Sequence, residues 1–169
     1  MQEKYNQTDA GNRWLWRANR RRLDAESLRD AMLASTGELD LRTGGPGFFP
    51  SVSEDALEGL SRKASAWTAS SPQEQRRRSL YIFSQRSLLP PLMTTFDQCD
   101  TTLPCGKRDV TIVAPQALTL LNNEFVHTRA EFLAGTVVQN HQNAQKRIDA
   151  VWQAVLGRAP DSSERAAAM

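Results

Sequence analysis

Apolar positions recur at helical spacing in the second half of the chain and only patchily in the first. The clearest case is Ala144–Leu156, where Ile148, Val151, Trp152, Val155 and Leu156 fall on one face. Gly157 stops that helix. Pro160 and Asp161 then start another, capped by Asp161 or Ser162, with Glu164 in its first turn. Upstream, Leu118, Leu121, Phe125 and Phe132 mark an inward stripe through residues 116–138. Pro115 suits the N1 position of that helix, and Asn122 and Asn123 predict a break in it. Nearer the start, Asp24 is an N-cap for a helix over residues 25–36, with Leu28, Ala31, Met32 and Ser35 on one face and Gly37 as its stop. Residues 53–62 predict a short helix, and residues 63–75 a surface linker around Trp67. The segment Ser79–Phe83 (SLYIF) is either a short strand or a buried helical turn, since periodicity does not separate the two at this length. Pro90 and Pro91 end whatever precedes them. Residues 92–96 are apolar and residues 97–109 are loop.

This pattern predicts a mainly α fold: a single irregular helical domain over residues 1–169, with long loops and at most a small β element. The final helix runs to Met169 with almost no apolar face, which predicts a truncated C-terminal piece of a longer multidomain protein.

Composition changes this picture little. A chain of 169 residues can bury roughly 70% of its unfolded surface, so it has room for a real core. The mean hydropathy of −0.52 is polar for a compact domain and agrees with long exposed loops. Charge is nearly balanced, 21 basic against 19 acidic residues for a net +2, which removes bulk charge as an argument for nucleic acid. One local run departs from that balance. Residues 12–23 (NRWLWRANRRRL) interleave Trp14 and Trp16 with arginines, a pattern suited to stacking on single strands. The competing reading makes the tryptophans core anchors and the arginines solvated or paired. It is favoured, and no nucleic-acid partner is expected. Residues 1–11 lack the apolar segment of a secretory signal, and no apolar run is long enough to span a membrane.

Candidate chemistry gathers between residues 97 and 122. Asp97, Asp100 and Asp109 bracket Cys99 and Cys105, with Lys107 and Arg108 between them. Carboxylates beside a cation suit acid–base chemistry or a hard metal, and suit turn capping equally well. The cysteines can close a small loop in an oxidising compartment. Cys99, Cys105, His127 and His141 are the only Cys and His residues, and their spacing matches no standard zinc site. Gly44, Gly45 and Gly47 follow no strand and precede no Lys-Ser/Thr, so they read as loop rather than phosphate cradle. No G-x-S-x-G nucleophile motif is present.

Three blocks resemble a known family. They are NRWLWRANRRRLDAESLRDAMLASTGELDL with GGPGF behind it (residues 12–48), RRSLYIFSQRSLLPPLMTTFDQCDTTLPCGKRDVTIVAPQALTLLNNEFV (residues 77–126) and RIDAVWQAVLGRAPDSSE (residues 147–164). Together they resemble the C-terminal domain of unknown function of planctomycete multidomain proteins that also carry a cytochrome c domain. The resemblance implies upstream domains of the same parent chain as partners and an extracytoplasmic location. It implies no cofactor in this chain. Covalent haem attachment needs C-x-x-C-H, which this sequence lacks, so haem c belongs to an upstream domain. Cys105 falls where the family often has a cysteine and Cys99 is less typical, and the balance favours two free thiols. The leading functional expectation is a structural or interaction module of a haem-associated extracytoplasmic protein. The alternative is an enzyme, acting on polysaccharide, with Asp97, Asp100, Cys105, Arg108 and Asn122 around its pocket. A nucleic-acid binder using residues 13–22 is the weaker alternative.

Overall fold

A computed structural model of the chain describes residues 2–19, 21–52, 67–85, 88–99, 101 and 103–169. The helix expected over residues 53–62 and the first part of the expected linker lie outside the described residues. The described elements are α1 (Gln2–Thr8), α2 (Ala25–Ser35), α3 (Pro91–Thr95), α4 (Ala114–Asn122), α5 (Glu124–Asn140), α6 (Ala144–Leu156) and α7 (Ser162–Ala167), with 3₁₀ turns at Glu74–Arg76 and Ser79–Tyr81. β structure among the described residues amounts to isolated bridges, Asp40 with Arg77, Phe48 with Ile82 and Gln85 with Leu88. The mainly α expectation therefore holds. The SLYIF segment takes an intermediate form, a 3₁₀ turn that runs into an extended Ile82 bridged to Phe48.

The domain is built around α2, which packs against α3, the Ser79–Tyr81 turn, α5 and α6. Asp24 caps its start by accepting from the Ser27 amide at 2.7 Å. Gly37, at φ +73°, closes its end. The Gly37 amide donates to Ala34 O, and the Glu38 amide to Leu33 O, in the left-handed stop that glycine makes cheap. The most buried positions are shifted from the expected face, whose Leu28, Met32 and Ser35 are half-buried, with Leu28 packed on the core. Ala25, Arg29 and Leu33 point inward at i, i+4, i+8, while Ala31 is exposed. The rotation has a physical cause: an arginine, not an apolar residue, forms the centre of the face. Arg29 is 5% exposed. Its guanidinium donates to Arg77 O (3.1 Å), Ser79 Oγ (3.2 Å) and Gln75 O, and lies over the rings of Phe48 and Phe125 at 5.2 and 5.1 Å. Next to it, Asp30 accepts from the amide and hydroxyl of Ser79 at 2.7 and 2.6 Å. The charge is thus buried but hydrogen-bonded three times over, the condition for tolerating it. Desolvation still lowers the Arg29 pKa to about 10, leaving it charged at neutral pH.

Below this face lies an apolar cluster of Ala25, Leu92, Met93 and Phe96, with Leu28, Ile82, Leu120 and Phe125 packed on it. Pro91 opens α3 rather than merely ending what precedes it. A second, aromatic cluster joins Phe49, Trp67 and Phe83 at centroid distances of 4.5 to 6.4 Å. Trp67 is buried and donates its indole N–H to Pro50 O at 3.0 Å. The expected surface linker is anchored there instead.

The break near Asn122 and Asn123 appears as expected. Asn123 is extended and caps α5 by accepting from the Phe125 amide at 3.0 Å. Pro115 is the second residue of α4, one position later than anticipated. The inward stripe is not as expected: Leu118, Leu121 and Phe132 are exposed, and only Phe125 of the four reaches the core. The reason is Gln116, a buried polar residue whose carboxamide donates to Thr95 O and Thr111 O and turns the opposite side of α4 inward.

At the C-terminal end, α6 has the expected bounds, with Gly157 at φ +67° as its stop. It docks on α5 and α2 through half-buried Ile148, Val151 and Trp152, whereas Val155 and Leu156 stay exposed. Asp161 caps α7, and Glu164 closes the capping box. Arg158 grips Glu164 with two bonds of 2.6 and 2.7 Å and holds its carboxyl down to about 2.

Two substitutions test this architecture. Arg29→Ala leaves three acceptors and two ring faces unpartnered in the interior and is expected to cost about 3–5 kcal/mol. Trp152→Ala removes a half-buried ring and is expected to cost about 1–3 kcal/mol, below the range for full burial. Urea unfolding midpoints check both. An Arg29→Ala midpoint no lower than that of Trp152→Ala would contradict the central place given to Arg29.

Candidate functional site

The loop singled out by sequence is clamped at both ends. Asp97 sits at φ +61°, a left-handed conformation that aspartate tolerates better than most residues. Its carboxylate accepts from the Thr111 amide (2.9 Å), the Thr111 hydroxyl (2.9 Å) and Arg22 Nη2 (2.6 Å). Those donors, the Thr111 amide foremost, hold its carboxyl below the usual carboxylate range. Gln116 then bonds Thr111 to the end of α3 through Thr95 O. Near the far end of the loop, Arg108 forms a two-pronged ion pair with Glu26 of α2 at 2.6 and 2.7 Å.

With its base closed, the loop brings the Cα atoms of Cys99 and Cys105 to 6.3 Å, and the two form a disulfide. This corrects the expectation of two free thiols. Their spacing was never the obstacle; what decides the pairing is the Asp97–Thr111 staple, which is invisible in the sequence.

The four described candidate residues therefore do not converge. Asp97 is spent on Thr111 and Arg22, Arg108 on Glu26 and Cys105 on Cys99. Asn122 donates to Leu118 O at 2.9 Å, and Asp100 lies outside the described residues. The bonds on Asp97 favour its charged form and fix it to Thr111 and Arg22. Partners that sequence reasoning missed, Arg22, Glu26, Thr111 and Gln116, complete the clamps. Two of them lie 75 and 82 residues from the groups they hold, so no local pattern could announce them.

A cleft of about 520 Å³ opens elsewhere, lined by Arg29, Leu33, Ile82, Met93, Phe125 and Arg129 among others, with Asn122 on its edge. None of the described residues between 97 and 109 lines it. Beside it Glu38, a buried carboxylate, is held between Arg76 (2.9 Å) and Arg129. His127 Nε2 is bonded to Leu121 O at 2.7 Å. Among the described residues no group of three or more His, Cys, Asp or Glu side chains is placed to hold a metal, and no helix is long and apolar enough to cross a membrane.

The geometry defines an arginine-centred helical module with a disulfide-closed, doubly clamped loop. Its family follows from comparison: the profile of PSD1, described as a protein of unknown function (DUF1553), matches residues 1–169, and the chain belongs to that family. No curated protein and no solved structure matches it.

Asp97 offers a pH test. Its folded pKa lies below its ordinary value of 3.8, so its stabilising contribution is complete above that value and is lost as pH falls through the lower folded value. Asn shares the tolerance for positive φ, which makes Asp97→Asn a clean charge probe. The variant should unfold at lower urea than the parent at pH 7, and the gap should close towards pH 2. A gap unchanged with pH would show that the clamp is not electrostatic. The disulfide offers another: Cys105→Ser should cost about 2 kcal/mol for a loop this short. Thiol titration of the denatured, unreduced protein should find no free sulfhydryl.

Proposed function

We propose that this domain is a non-catalytic interaction module of a larger extracytoplasmic, haem-associated protein of the planctomycete type, and that it docks against upstream domains of the same parent chain. One observation carries the reading. The outer face of α4 is an apolar stripe, Ala114, Ala117, Leu118 and Leu121, preceded by Ile112, which is 88% exposed. Gln116 and Leu120 fix the opposite face inward, so the stripe cannot turn into the domain's own core. Contiguous exposed apolar surface on a soluble domain marks an interaction site. The Cys99–Cys105 disulfide supports an oxidising compartment. Haem, in this reading, sits in an upstream domain, since this sequence has no C-x-x-C-H.

The enzyme alternative, with polysaccharide as substrate, draws less support. The Asp97 carboxylate and the Arg108 cation are tied into structural pairs, and among its described candidate residues only Asn122 reaches the 520 Å³ cleft.

The docking is measured by titrating this domain into the separately produced upstream part of the parent chain. The double substitution Leu118→Arg, Leu121→Arg changes exposed positions and should leave the unfolding midpoint in place. It should weaken binding at least about a hundredfold, because two apolar anchors are replaced by charges. Equal affinity of variant and parent, or no binding by the parent domain, would overturn the proposal.

A further inference from the structure

The N-terminal segment takes no part in the α4 face, yet its loop is densely hydrogen-bonded. Asp9 is buried, and its carboxylate accepts from the amides of Arg13 and Trp14 at 2.9 Å each. Its carbonyl accepts the indole N–H of Trp16 at 2.9 Å. Asn12 is buried at φ +54°. Its side chain donates to Arg17 O (2.6 Å) and Asn19 Oδ1 (2.8 Å) and accepts from the Arg17 amide (3.1 Å). Leu15 stands at φ +55°, where leucine is rarely found. Such backbone persists only where the surroundings over-determine it, and it clusters at functional sites.

What this network holds in place is an indole. Trp14 is 79% exposed, contrary to the core role expected for it. Trp16 is half-buried and stacks on Tyr5 with centroids 6.0 Å apart. Together with Lys4, Thr8 and Asp9 these rings line a cleft of about 550 Å³, within the range of small-ligand sites.

We propose that this cleft binds carbohydrate, seating a neutral pyranose ring of an oligosaccharide against Trp14, with Tyr5 and Trp16 as its wall. A pyranose presents an apolar C–H face and a rim of hydroxyls. The cleft presents flat aromatic faces and a rim of groups that can meet hydroxyls: the Lys4 ammonium, the Thr8 oxygen and the Trp14 indole N–H, which has no partner among the described residues. Other ligand classes fit less well. A cation would meet Lys4, and would find Arg17 already over the Trp16 ring at 5.3 Å. Single-stranded nucleic acid needs cations that track its phosphates beside the stacking rings. Here Arg17 is bonded to Ala10 O and Arg22 to Asp97, and Lys4 is the only cation among the described residues that line the cleft.

The test uses the four indole N–H signals in a ¹H–¹⁵N NMR spectrum of the full chain, assigned by single Trp→Phe variants. Cellohexaose, laminarihexaose, mannohexaose and xylohexaose are titrated to about 10 mM, a range that captures weak sites. At least one should shift the Trp14 and Trp16 signals saturably and leave those of Trp67 and Trp152 in place. Trp14→Ala, at an exposed position, should weaken that response at least about tenfold, and Trp14→Phe should restore most of it. The proposal is overturned if none of the four sugars moves the Trp14 signal, or if the response survives Trp14→Ala. It is overturned equally if polyuridylate binds the same tryptophans more tightly than any sugar and is released by added salt.

Discussion

The guanidinium of Arg29 is the point on which this domain turns. A charged group in the interior is tolerated only when its donors are met, and here they are met by main-chain carbonyls of the 75–79 segment. That requirement sets the rotation of α2, and brings the Ser79–Tyr81 turn against it. It also places Phe48 and Phe125 on either side of one cation. An aliphatic residue at this position would pack against many neighbours in many ways. The planar fork accepts few arrangements, so it selects one.

The same logic recurs away from the centre. Glu38 is gripped by Arg76 and Arg129, Asp97 by Arg22 and Thr111, Glu26 by Arg108. Arg77, also buried, bonds Pro46 O and Gly44 O and lies on the Tyr81 ring at 4.0 Å. With little sheet to order its long connections, the domain uses arginines as cross-ties between segments distant in sequence. Of the chain's 21 basic residues only Lys4, Lys63, Lys107 and Lys146 are lysines, and this excess of arginine has a structural meaning: the fork geometry makes two or three directed bonds at once.

Legibility in the sequence follows from this. Local signals worked: Asp24 and Asp161 as caps, Gly37 and Gly157 as stops, the break at Asn123 and the bounds of α6 were all readable from a few adjacent residues. Facing was not readable where a polar group decided it. Arg29 turned α2, and Gln116 turned α4, so that Leu118 and Leu121 face outward. Hydrophobic periodicity assumes that the inward residue is the apolar one, and both helices break that assumption. The short helix α1 carried no apolar pattern and went unnoticed. In the candidate loop the right residues were noticed but their partners were not, because Glu26 and Arg22 belong to a different stretch of chain.

The long reach of these cross-ties bears on how the protein is made. Acceptors for Arg29 lie 46 to 50 residues downstream of it, and Arg129, which closes on Glu38, lies 91 residues beyond its partner. A chain emerging from the ribosome presents α2 before the segments that bond it have been made. Until the α5 segment arrives, Glu38 lacks Arg129 and the apolar cluster lacks Phe125. The interior of the domain is therefore complete only once the α5 segment has been made.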